Sequence, residues 1–174
     1  MQNRNLKRLV VSALLAAVYT VLALALPMAS FGPVQFRVSE ALTILPVFSP
    51  AAGVGVTLGC LVTNLIGFLM GVTFPQDILF GTLATLLGCV LTWLFRGARV
   101  KGLPVLSALA PVVCNTLIIG WEINTFFLGT PSWMGFVTSA VGVGLGELAA
   151  CLVLGLLLAA LLERTGLDRL FREL

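Results

Sequence analysis

Histidine does not occur anywhere in the 174 residues. Its absence removes the usual proton shuttle near neutral pH, the HExxH zinc motif and any Ser–His or Cys–His nucleophile pair. An enzymatic reading has little left to stand on. Charge is nearly as scarce. Ten basic and seven acidic residues make up 10% of the chain, against about 25% in an ordinary soluble domain. The four cysteines, Cys60, Cys89, Cys114 and Cys151, fall in four different apolar segments. No paired spacing suggests a disulfide or a metal site, and small apolar packing residues are expected. No G-x-x-x-x-G-K-[ST] phosphate loop is present, so the chain cannot hydrolyse ATP itself.

What is there is mostly hydrophobic: 59% of residues, with a mean hydropathy of +1.11. One all-α membrane domain over residues 1–174 is expected. The apolar run after Lys7 and Arg8 extends to Leu26 and ends in Pro27. That is longer than the ~7–15 residues of a signal-peptide core, so it reads as a retained first span. A spanning helix needs about 20 apolar residues. Residues 7–26, 51–71, 77–95, 104–124 and 135–162 meet or approach that length. The piece 39–49 is apolar but short and contains Pro46, which removes a backbone donor. It reads as a short or broken second span, tolerable where protein packs around its freed carbonyls.

The distribution of charge orients these six spans. Arg4, Lys7, Arg8, Glu163, Arg164, Asp168, Arg169, Arg172 and Glu173 lie in the tails, and Arg96, Arg99 and Lys101 in one mid-chain loop. Two basic tails and a basic loop belong on the cytoplasmic side. Six spans put them all there; five would not. The connections 27–38, 72–76 and 125–134, with Pro27, Phe31, Pro33, Pro75, Pro131 and Trp133, then face outward. The C-tail from Leu161 is expected to continue as a basic amphipathic helix at the membrane surface. Small residues four apart, Ala13/Ala17, Gly55/Gly59, Gly67/Gly71 and Gly142/Gly146, mark faces where another backbone can come close.

Five charges remain in the apolar bulk: Arg37, Glu40, Asp77, Glu122 and Glu147. A charge at the centre of a span costs ~3 kcal/mol on insertion scales, so each needs a partner or a purpose. Arg37 and Glu40, three residues apart, read as an ion pair holding the first outer loop. Asp77 reads equally as a helix cap and as a ligand contact. Glu122 and Glu147 have no nearby cation in sequence. With Asn64, Asn115 and Asn124 they form an acceptor-rich set in the outer half of the bundle. A cation or a flat heterocycle presenting several N–H groups would complement it, since a carboxylate accepts from two adjacent N–H groups at once. Trp121 and Trp133 read either as stacking surfaces for a flat ring or as interfacial anchors.

Three segments resemble the QueT family of substrate-binding S components of energy-coupling factor (ECF) transporters. They are GPVQFRVSEALTILP (Gly32–Pro46), DILFGTLATLL (Asp77–Leu87) and Gly146-Glu147-Leu148. The resemblance implies six transmembrane helices, both termini cytoplasmic, in the cell membrane. It implies a substrate among the queuosine-related 7-deazaguanines: queuine, preQ1, preQ0 or queuosine. It implies partners too, a transmembrane T component and two ATPase subunits that use ATP. An Ala-xxx-Ala motif on the first helix of such subunits faces the coupling subunit, and Ala13 and Ala17, with Ala16 beside them, match it. The substrate residues expected here are Glu147, Glu122, Asn115, Asn64, Asn124, Trp121, Asp77, Glu40 and Arg37. No cofactor, metal or nucleic acid is expected on this chain. Two other classes stay open: a proton- or cation-coupled secondary carrier titrating at Glu147, and a structural protein whose acids and amides only join helices. No pair of similar halves favours the carrier.

Overall fold

The computed structural model describes residues 2–25, 30 and 35–174. The remainder of the first outer connection, with Pro27, Phe31 and Pro33, lies outside the described residues, as does the Gly32–Val34 start of the first resembling segment. Among the described residues the structure is helical, apart from one isolated bridge between Val100 and Leu103. Five helices are long and apolar enough to cross a membrane.

The helices run α1 (Gln2–Ala25), α2 (Val38–Val47), α3 (Pro50–Leu69), α4 (Pro75–Leu94), α5 (Val105–Phe126), α6 (Trp133–Glu147), α7 (Leu156–Thr165) and α8 (Asp168–Arg172). Between α6 and α7 the chain stays helical as a π segment, Leu148–Gly155. The three pieces form one apolar span, Trp133–Thr165. At 1.5 Å per residue it measures about 50 Å, so its last turns project beyond a ~30 Å hydrocarbon core.

Successive long helices are neighbours, α1 on α3, α3 on α4, α4 on α5 and α5 on α6. Glycines set several of these distances. Gly55 lies against Ser12 and Leu15, and Gly59 against Ala16 and Tyr19. Gly88 lies against Pro111 and Gly120 against Ala140. The pair Gly55/Gly59 is therefore internal packing. Gly67 faces Thr73, and Gly71 has a positive φ in the turn after α3, so the Gly67/Gly71 spacing serves a turn instead of a helix face. Leu14, Val21, Leu65, Leu79, Val113, Leu117 and Val141 point outward. An apolar coat of that size is a liability in water and ordinary in lipid.

The short second element is the centre of the bundle. α2 is a 3-10 helix with Pro46 inside it, and it touches α1, α3, α4, α5, α7 and the π segment. Ser39, Glu40, Ala41 and Thr43 to Val47 are all buried. Ten residues is long for a 3-10 helix, whose strained bonds usually limit it to three or four. Enclosure by the surrounding helices supplies what its own hydrogen bonding lacks. Ile44, Leu45, Val47 and Phe48 join Leu15, Ala52, Ala108 and Ala159 in the main core.

The C-tail departs from expectation. Gly166, at φ 73°, ends α7 in the left-handed conformation, a common helix stop. The five-residue α8 then folds back instead of extending the helix along the membrane. Phe171 packs on the core, Arg172 lies 5.3 Å over the Phe48 ring, and Leu174 is buried. Arg99 in the α4–α5 loop donates to both oxygens of Glu163, at 3.1 and 2.7 Å. The basic loop and the tail are thus one tied surface. In that loop Lys101 and Gly102 both have positive φ, the geometry of a tight two-residue hairpin turn.

Candidate functional site

Four carboxylates and one guanidinium are buried together in this bundle: Glu40, Asp77, Glu122, Glu147 and Arg37. Their placement follows from four local features. α2 carries Glu40 to the bundle centre. Gly146 has no side chain where the Gln35 carbonyl crosses α6, and a Cβ there would overlap that carbonyl. The segment Gln35–Arg37 can therefore lie directly on α6 beside Glu147. The π segment begins one residue after Glu147, and such local widenings recur at functional sites. On α5, Asn115 and Glu122 are seven residues apart, on one face and about 10 Å apart along the axis.

The deep part of the cluster contains Glu40, Glu147 and Cys151. One ligating atom from each lies within 4.8 Å of the others. Glu40 is 1% exposed and Glu147 3%. Tyr19 donates its hydroxyl to Glu40 Oε1. The Cys151 thiol donates to Glu147 Oε2 at 3.2 Å. Thr43 approaches Cys151 Sγ at 3.6 Å and donates to the Glu40 carbonyl at 2.6 Å. The Asn115 amide lies beside both carboxylates, and the charge of Arg37 acts on both. Arg37 itself donates to the Ser30 carbonyl at 3.0 Å. The hydrogen-bond partner found for the Glu40 carboxylate is Tyr19, a residue the sequence reading did not select.

Glu122 forms the shallower part. It is 0% exposed, and neither oxygen has a hydrogen-bond partner among the described residues. Asp77 and Arg37 are the charges that act on it. Glu40 Oε2 and Asn64 Oδ1 are likewise buried without a partner. A buried acceptor left unpaired costs about 1–3 kcal/mol, more when charged. These four oxygens, two of Glu122 and one each of Glu40 and Asn64, are departures from the rule that buried polar atoms find a partner.

Other expected residues have structural work. Asp77 is the third residue of α4, not the cap itself, and its Oδ2 accepts the Phe74 N–H at 2.8 Å. Asn64 donates to the Asp77 carbonyl at 2.9 Å, which ties α3 to the start of α4. Asn124 Oδ1 accepts from Ser132 N–H at 3.1 Å, anchoring the loop before α6. Trp121 is 45% exposed and meets Phe80 and Phe126 edge-on, so it stands on the outer surface while its neighbour Glu122 points inward. Trp133 is 78% exposed. On α1, Ala13 and Ala17 are exposed, whereas Ala16 packs on Gly59. Ala13 and Ala17 therefore leave a small-residue face uncovered, and Ala16 belongs to the α1–α3 contact.

The model of the QueT transporter family matches residues 9–164. The chain belongs to the QueT transporter family. It is 36% identical over 80 residues to the queuosine precursor transporter QueT of Lactococcus lactis subsp. cremoris (strain MG1363). That alignment covers 45% of this chain and 44% of the relative, less than half the length of either. No solved structure matches the chain. Family membership and five apolar helices make this an integral, multi-pass membrane protein.

Two of the residues that matter most in the geometry escaped the sequence reading, Tyr19 and Cys151, whereas Gly146 does let another backbone, that of Gln35, come close. Tyr19 carried a usable signal. It is the single tyrosine of the chain, set inside an apolar span, where a hydroxyl needs a partner. Cys151 carried none, because a buried cysteine is ordinary.

Proposed function

We propose that this chain is the substrate-binding subunit of an ATP-driven ECF importer that takes up queuosine-related 7-deazaguanines. In this reading six spans cross the membrane, with α2 as the broken second one and both termini cytoplasmic. The observation that carries the proposal is the buried, unpartnered carboxylate of Glu122 together with the Glu40–Glu147 pair. The guanine-like edge of a 7-deazaguanine offers adjacent N–H donors to such a carboxylate. The name of the Lactococcus relative points to the same substrate class. Glu147, Glu122, Glu40 and Asn115 are the proposed core of the site, with Asn64 contributing its unpartnered oxygen. Arg37 balances charge there, and Asp77 and Asn124 shape its outer end. Trp121 would line the substrate's approach.

Energy would come from a T component and two ATPases, with Ala13 and Ala17 as the coupling face. Their exposure on α1 supports this, since it leaves two small residues open to a partner helix.

Calorimetric titration of the purified chain with queuine, preQ1, preQ0, queuosine and guanine tests the reading. Binding of at least one deazapurine without added ions is expected. Uptake should require the ATPase partners. Absence of binding to all five compounds overturns the proposal, and uptake by the chain alone in a proton or sodium gradient replaces it with a secondary carrier.

A further inference from the structure

Two carboxylates and a thiol meet at the deep end of the buried cluster, and their arrangement specifies a donor of particular shape. Ligating atoms of Glu40 and Glu147 lie no more than 4.8 Å apart. One nitrogen at an ordinary 2.7–2.9 Å can therefore reach both. Each carboxylate also has one oxygen held by the protein, Glu40 Oε1 by Tyr19 and Glu147 Oε2 by Cys151. That fixes the rotation of both groups and leaves Glu40 Oε2 buried and unpartnered. Arg37 is a cation that acts on Glu40, Glu122 and Glu147 alike. Buried carboxylates are retained where they are paired.

We infer that Glu40 and Glu147 form a subsite for one alkylammonium group of the substrate, and that Glu122, two helical turns beyond Asn115 on α5, reads the opposite, N–H-bearing edge of the ring. The inference presupposes that the chain binds a 7-deazaguanine, as proposed above. It then adds a selectivity. A base carrying an aminomethyl group, such as preQ1, presents a charged donor to acceptor-only oxygens. A base carrying a nitrile at the same place, such as preQ0, presents another acceptor. The two differ little in size, so charge and donor capacity decide between them. A nitrile leaves the carboxylates unpaired and sets its own lone pair against them, which hydrogen-bonding sites reject strongly.

The test is titration of preQ1 and preQ0 against the wild-type chain and three variants. Wild-type protein is expected to bind preQ1 at least about tenfold more tightly than preQ0, the scale of one charged hydrogen bond. Glu147→Gln and Glu40→Gln should remove most of that ratio, with preQ1 weakened about ten- to a hundredfold and preQ0 changed by less than about threefold. Glu122→Gln should weaken both ligands alike and keep the ratio. Equal wild-type affinity for the two bases overturns the inference while leaving the proposed function intact, and does so without relying on any variant folding. Parallel loss of both ligands in Glu147→Gln and Glu40→Gln overturns it as well. Failure of preQ1 and preQ0 to bind where queuine or queuosine does overturns the inference alone, and absence of binding to all five compounds removes the function with it. Stoichiometric metal in the purified, ligand-free protein would assign the same three ligating atoms to a metal ion instead, and also overturns it.

Discussion

Tyr19 and Gly146 each do one thing that no neighbour can replace. The Tyr19 hydroxyl is the donor to Glu40 Oε1. Without it, a second buried oxygen of that carboxylate loses its partner, at a cost of about 1–3 kcal/mol. Tyr19→Phe is therefore expected to lower thermal stability in detergent and to weaken ligand binding together, read by melting and titration on one preparation. Unchanged binding would show that the rotation of Glu40 does not depend on Tyr19. Gly146 acts by absence. An added methyl would overlap the Gln35 carbonyl, which is backbone and cannot swing aside. Gly146→Ala should destabilise the protein by about 1–3 kcal/mol, as overpacking does. Gly97→Ala, with nothing within 4 Å of the added atom, should leave the melting temperature nearly unchanged. Equal effects at the two glycines would mean that the crossing at Gln35 yields readily.

Among the elements, α2 and the π segment stand out because neither has the preferred geometry of a membrane span. α2 hides its weak 3-10 hydrogen bonding behind six neighbouring elements. The π segment places Cys151 four residues after Glu147 with both side chains directed at one cluster. A π segment holds an extra residue relative to an α-helix. Deleting Ala149 should let the span relax toward α geometry and rotate everything after it. Helical content by circular dichroism is expected to persist while binding is lost. Retained affinity would make the π segment incidental. At the far end of the same span, the Arg99–Glu163 pair is partly exposed, and exposed pairs contribute only about 0–1 kcal/mol. Its consequence is geometric: it joins the α4–α5 loop to α7 and, through α8 and Arg172, to Phe48 at the end of α2.

For the whole molecule the distribution of charge and of small residues makes two expectations. All four cysteines are buried, so the natural chain gives little background with a membrane-impermeant thiol reagent. A cysteine introduced at exposed Gly129 should label in intact cells, and one at exposed Lys101 only after permeabilisation. The reverse pattern would invert the proposed topology, and labelling of both in intact cells would break the six-span count. Ala13 is exposed on α1 and is not among the residues of the packed cores. Ala13→Trp is expected to leave substrate titration unchanged while abolishing uptake with the partner subunits. Loss of binding as well would make Ala13 a packing residue.

Much of the architecture was legible because lipid imposes simple rules on composition. An apolar run of about 20 residues must be helical there, so the five long helices lie within a few residues of their expected limits. Pro46 announced that the second element would be short. The isolated charges could be recognised because the membrane penalises each of them separately, wherever the chain folds. Their partners could not be read in the same way. That Glu40 meets Tyr19, Glu147 meets Cys151, Asp77 holds Phe74 and Asn124 holds Ser132 depends on which helix faces which, and on a glycine at one crossing. Sequence determined which groups needed company; close packing between distant segments decided which of them found it inside the chain and which oxygens were left without it.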